Sequence, residues 1–171
     1  MAPMRHLFLL AGPLLLALAS GSARAADAGA PAAAKVVGPP EVAWKDMTKD
    51  QKMKFMKAVV NPKMRAAFQK FDPKTFEKFG CATCHGKDGK DREFKMPNPK
   101  ADIHPLPDNP QEFGALMKKK ESWGKWVPFM RDEVTAQMAQ LLGIPHFDPK
   151  KPDPNAFGCN RCHTLQKGLK D

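Results

Sequence analysis

The four cysteines of this chain stand in two copies of one five-residue pattern, Cys81-Ala82-Thr83-Cys84-His85 and Cys159-Asn160-Arg161-Cys162-His163. Two thiols separated by two residues on a helical turn reach the two vinyl groups of one porphyrin and can form a thioether with each. The next residue then meets the iron, and in both copies it is a histidine, whose neutral imidazole nitrogen serves as proximal ligand. C-x-x-C-H is the attachment signature of c-type haem. The sequence therefore predicts two covalently bound haems c, attached through Cys81, Cys84, Cys159 and Cys162 and ligated by His85 and His163. Two other chemistries use paired cysteines. A thioredoxin-like pair needs a strand-helix context with alternating apolar runs, which this sequence lacks, and a zinc site of four cysteines leaves the two adjacent histidines without a role.

Self-comparison of the chain shows what must position these motifs. Phe55, Met56, Val60 and Met64 match Phe129, Met130, Val134 and Met138 at a constant offset of 74. After a two-residue insertion, Phe71-Asp72-Pro73-Lys74 matches Phe147-Asp148-Pro149-Lys150, and after two more residues Phe79-Gly80-Cys81 matches Phe157-Gly158-Cys159. The chain reads as a duplicated one-haem unit. Each copy predicts a helix, a turn at Asp-Pro-Lys and a shorter helix ending in the haem motif.

In the first copy Thr48 is the expected N-cap, and Met53, Met56, Val60, Met64, Phe68 and Phe71 form an apolar stripe of helical period. Asn61-Pro62 predicts a kink or a restart there, with Asn61 as a new N-cap. In the second copy Pro128 is expected to open a helix whose stripe of Phe129, Met130, Val134, Met138 and Leu141 runs to Gly143. No segment reads as a strand. The expected fold class is all-α, with two helix-turn-helix haem units, residues 46–110 and 111–171, joined by long Pro-rich loops.

Only eight residues follow His163, so a second ligand for that iron must come from upstream, and symmetry asks the same of the first. Met64 and Met138 lie 21 and 25 residues before their own histidines, a reach that suits a helix folded back over the haem. Met56 and Met130 form an equivalent pair that reads as core filler, since methionine at helical spacing usually fills space. His104 and His146 have no counterparts in the other copy and read as loop residues first and ligands second. Met96-Pro97 is only 11 residues past His85, short for a chain rounding a haem edge, so the stretch from Met96 to Pro110 is expected to cover the first haem and link the units.

On the paired motifs the chain resembles a small exported dihaem c-type cytochrome. The order of ligand helix before C-x-x-C-H helix is similar to that in the tetrahaem cytochrome subunits of photosynthetic reaction centres, a resemblance that covers ligand order alone.

Residues 1–25 read as a cleavable signal peptide, with Arg5 at its basic start, an apolar stretch from Leu7 to Ala19 and Ala23-Arg24-Ala25 as the cleavage site. The apolar stretch is too short to span a bilayer, which takes ~20 residues. Removing 25 of 171 residues leaves 146, enough for one compact unit or two small ones. The Ala/Pro/Gly-rich stretch that follows predicts a flexible linker over 26–45. The whole chain carries +10, and the leader holds Arg5 and Arg24 with no acids, so the mature chain carries +8. Such a charge points to acidic redox-partner proteins, steered by lysines such as Lys118, Lys119, Lys120, Lys150, Lys151, Lys167 and Lys170. Export makes nucleic acid a poor partner.

With a histidine and a second strong ligand on each iron, no coordination position is open to substrate, and the chemistry is outer-sphere one-electron transfer. The expected function is that of a periplasmic electron carrier, not an enzyme. The alternative is a dihaem peroxidase or sulfur-compound oxidase with one open or switchable haem, His104 or His146 being the switching ligand. A third is a redox subunit docked permanently in a larger complex.

Overall fold

In the computed structural model, which describes residues 36–119 and 123–169, the first helix starts where the sequence places its cap. The leader, Lys120, Lys170 and the side chain of Lys119 lie outside the described residues. Helix α1 spans Lys49–Phe55. Thr48 Oγ1 accepts from the Gln51 N–H at 3.3 Å, while Gln51 Oε1 accepts from the Thr48 N–H at 2.8 Å. This reciprocal box satisfies two donors that a bare helix end leaves unpaired.

The expected restart at Asn61 does not occur. Met56–Val60 forms a π turn, Asn61 has helical φ −59° and ψ −44°, and the chain runs on as α2, Asn61–Phe71. Pro62 has no N–H to donate and its ring crowds the preceding turn, and the wider π coil carries the helix into it unbroken. After a turn in which Asp72 Oδ1 accepts from the Thr75 N–H at 3.0 Å, helix α3 spans Cys81–His85.

The connecting stretch contains a two-residue strand, β1 (Leu106–Pro107), and then helix α4 (Pro110–Lys119), whose first turn is capped by Asn109 Oδ1 accepting from the Glu112 N–H at 2.7 Å. Helix α5 (Trp123–Pro128) ends on the proline that was expected to open the next helix. Pro128 sits at φ −58° and ψ −45°, a geometry its ring already favours, and the chain continues through a second π segment, Phe129–Thr135, into α6, Ala136–Leu142. Gly143 closes α6 at φ +62°, the left-handed conformation that suits glycine, with the Ile144 N–H returning to the Ala139 carbonyl at 3.0 Å.

The repeat offset of 74 sets Met56 against Met130 and Val60 against Val134, so the two π segments occupy corresponding places. Proline follows the first and precedes the second, so no single proline position accounts for both.

The second motif departs from the first. Cys159–Arg161 makes one 3₁₀ turn rather than an α-helix, followed by β2, Leu165–Gln166. Strands β1 and β2 pair in parallel, Leu106 opposite Leu165, with the Leu106 N–H on the Thr164 carbonyl at 2.9 Å. The chain is mostly helical, and this short ladder corrects the expectation of no strand. Two residues per strand are too few for periodicity to reveal.

The described residues fall in one compact unit. A single core joins Met47, Phe55, Val60, Met64, Phe68 and Phe79 of the first half to Val134, Ala139, Leu142 and Phe157 of the second. The two halves thus lack separate cores. Phe71 of α2 stacks on Phe129 of the second π segment at 4.0 Å and 7°, and Phe68 meets the same ring edge-on at 5.2 Å. Val42 and Trp44, from the stretch whose composition reads as linker, also pack on this core. Among the described residues no helix is long and apolar enough to cross a membrane.

Candidate functional site

Both C-x-x-C-H motifs open onto one cavity. It measures about 1740 Å³, against roughly 300–1,000 Å³ for a typical ligand pocket. Its wall includes Cys81, Cys84 and His85 from α3, and Cys159, Cys162 and His163 from the second turn. The same backbone device presents each set: the Thr83 N–H bonds the Gly80 carbonyl at 3.0 Å, and the Arg161 N–H bonds the Gly158 carbonyl at 3.0 Å. The four cysteines are not joined in disulfides. Nor, among the described residues, do three His, Cys, Asp or Glu side chains converge as a zinc site requires.

Burial dominates the electrostatics. It pushes the Cys84 thiol up to about 11, with Cys81 adding to the rise. The Cys162 thiol is pushed up to about 12 by burial, then by Cys84 and Cys159, so thiols of the two motifs lie within electrostatic reach of each other. His85 and His163 are both held below the ordinary histidine pKa by burial, which favours the neutral imidazole that can bind metal.

The two imidazoles are supported differently. His163 Nδ1 lies 2.7 Å from the His104 carbonyl oxygen. A carbonyl only accepts, so Nδ1 carries the proton and Nε2 keeps its lone pair. His85 Nδ1 makes no hydrogen bond of good geometry among the described residues; the Phe94 ring stands edge-on to the imidazole at 5.3 Å, and the Phe94 backbone lies near enough to the ring to offset part of the effect of burial on its pKa. What secures His85 is its backbone: Asn98, 3% exposed, donates from Nδ2 to the His85 carbonyl at 2.7 Å and to Asp88 Oδ1 at 2.6 Å. Gly86 ends α3 at φ +78°, and a Cβ there would come within 2.8 Å of Asn98 Nδ2. Glycine is needed on both counts.

Met64 and Met138 line the cavity, and so do Met56, Met130 and Met96. Met64 is 4% exposed within the core. Of the two remaining histidines, His104 lies on the wall with its ring edge-on to Trp123 at 5.4 Å, whereas His146 lies off it. Thr135 Oγ1 donates to the Arg131 carbonyl at 2.7 Å and lies 2.9 Å from His146 Nε2, which must then be the donor.

Sequence reasoning missed Asn98, the His104 carbonyl and the wall lysines Lys78, Lys87 and Lys100. The lysines singled out on charge alone, Lys118, Lys150, Lys151 and Lys167, are exposed but stand away from the cavity. Asn98 follows Met96-Pro97 in a Pro-rich stretch and carries no local signal, because its partner is a backbone carbonyl 13 residues earlier.

Compared with protein-family models, with curated proteins and with solved structures, the chain matches none.

Proposed function

We propose that this chain is an exported electron carrier with two covalently attached haems c, one per C-x-x-C-H motif. The observation that carries the reading is the meeting of both motifs, thiols and histidines together, on one cavity large enough for two cofactors. The protonated Nδ1 of His163 and the burial of both imidazoles are the support expected of proximal ligands.

Cys81 and Cys84 would hold one group, and Cys159 and Cys162 the other; His85 and His163 would be the proximal ligands, with Met64 and Met138 the second ligands. Bound in this way, haem supplies reversible one-electron transfer without an open position for substrate. The protein's part is to position and insulate. Phe68, Phe79, Val134 and Phe157 exclude water from the wall, which favours transfer without chemistry at the metal. Lys78, Lys87 and Lys100 place positive charge where an acidic partner would approach. Residues 1–25 would direct the chain to the periplasm.

The test is the mass and spectrum of protein produced in a periplasm that matures c-type cytochromes. Covalent addition of two haems, low-spin spectra in both oxidation states, a charge-transfer band of sulfur-ligated ferric haem and no response to carbon monoxide are expected. A chain without covalent haem would overturn the proposal, and a carbon monoxide-binding high-spin component would replace it with a dihaem enzyme.

A further inference from the structure

The two repeat units are alike in sequence, but the loop between the motifs belongs to neither and treats their histidines unequally. On one side, Asn98 pins the His85 carbonyl at 2.7 Å, while His85 Nδ1 makes no hydrogen bond of good geometry among the described residues and has only the Phe94 backbone as a looser polar neighbour of its ring. On the other, the chain passes through His104, whose carbonyl accepts from His163 Nδ1 at 2.7 Å. The second arrangement is built, because strand β1 begins two residues after His104 and strand β2 two residues after His163. Their parallel pairing, with the Leu106 N–H on the Thr164 carbonyl at 2.9 Å and the Asp108 N–H on the Gln166 carbonyl at 3.3 Å, holds the His104 carbonyl against the imidazole.

We propose that this loop makes His85 and His163 unequal ligands, His163 being the more electron-donating, so that the second unit is harder to reduce than the first. The inference rests on the reading that these two histidines bind the two irons. Donation from Nδ1 to a carbonyl makes the imidazole a stronger base at Nε2, which favours the ferric state and lowers the reduction potential. His85, without a comparably short Nδ1 contact among the described residues, receives less of this push. The His104 backbone and the β1–β2 ladder are thus positioning elements for His163, and a singly reduced molecule keeps its electron in the first unit.

Potentiometric titration of the haem-loaded full chain tests this, with each wave assigned from variants in which one cysteine pair is replaced by serine. Two separate waves are expected, the lower one belonging to the second motif. Leu106→Pro removes the N–H that ties β1 to Thr164, and it should move the lower wave toward the upper while leaving the upper in place. In the wild type, proton NMR should show one slowly exchanging imidazole Nδ1–H, assigned to His163. Two covalently bound low-spin haems titrating as a single wave, or a lower wave at the first motif, would overturn this inference and leave the proposed function standing. Absence of covalent haem would overturn both. Should Leu106→Pro fail to fold, the wild-type waves and the NMR assignment decide the matter alone.

Discussion

Asn98 Nδ2 donates to the backbone carbonyl of His85 across 13 residues of chain, at 2.7 Å, and its own Oδ1 accepts from the Lys100 N–H at 3.0 Å. A side chain 3% exposed therefore closes the loop after the first motif and anchors the C-terminal end of α3. Asn98→Ala should cost about 1–3 kcal/mol, the range for leaving a buried partner unsatisfied. Asn98→Asp should cost more, because it replaces the donor with a carboxylate beside Asp88. Thermal unfolding of the haem-loaded protein measures both, and an unchanged midpoint in Asn98→Ala would remove the anchor from the account.

Paired replacement of Cys81 and Cys84 by serine should remove one of two covalently bound haems, and replacement of Cys159 and Cys162 the other. The pyridine haemochrome yield per chain should fall from two to one in each variant. An unchanged yield in either would show that those thiols do not carry the cofactor.

Met64→Ala and Met138→Ala should each turn one haem high-spin and abolish its share of the sulfur charge-transfer band. Met56→Ala and Met130→Ala should cost stability, on the order of 2–5 kcal/mol for a fully buried methionine and less for these half-buried ones, with both haems still low-spin. Spin state separates ligand from filler where stability does not. The reverse pattern would move the ligands about two helical turns along the wall, to Met56 and Met130.

The chain has three tryptophans and no tyrosine, and Trp44, Trp123 and Trp126 all line the cavity. Haem in that space should quench their fluorescence strongly. Protein lacking all four cysteines should be several-fold brighter than the loaded wild type at equal concentration, and equal brightness would place the cofactor elsewhere.

The exposed lysines at the cavity wall, Lys78, Lys87 and Lys100, should steer anionic partners. Oxidation of the reduced protein by anionic ferricyanide should slow as ionic strength rises, because screening shortens the reach of these charges to about 8 Å at physiological salt. Lys78→Glu, Lys87→Glu and Lys100→Glu together should slow the reaction at low salt and flatten its salt dependence. Stopped-flow rates across a salt series report both, and a triple variant as fast as wild type would shift the docking site to another face.

Local features were legible in the sequence because their causes are local. Thr48 reads as an N-cap, and it caps α1, with Gln51 completing a reciprocal box beyond that expectation. The Asp-Pro-Lys turns hold through short contacts, Asp72 to the Thr75 N–H and Asp148 to the Lys150 N–H. Proline misled where tertiary packing overrode local preference. Asn61-Pro62 reads as a kink or a restart and Pro128 as a helix start, yet neither begins a new helix, since each lies within a continuous helical run that passes through a π segment. Phe68 and Phe71 packed against Phe129 favour keeping these runs intact.

By itself, the sequence determined the two thiol pairs, the histidine beside each and the duplicated unit that carries them, since a five-residue motif needs no distant partner to be recognised. Only the tertiary structure decided that both motifs share one cavity and one core, and that His163 finds the His104 carbonyl at 2.7 Å while His85 Nδ1 makes no comparably close bond among the described residues. Those outcomes depend on backbone groups and on contacts between residues as many as 59 apart in sequence, which residue type and spacing do not encode.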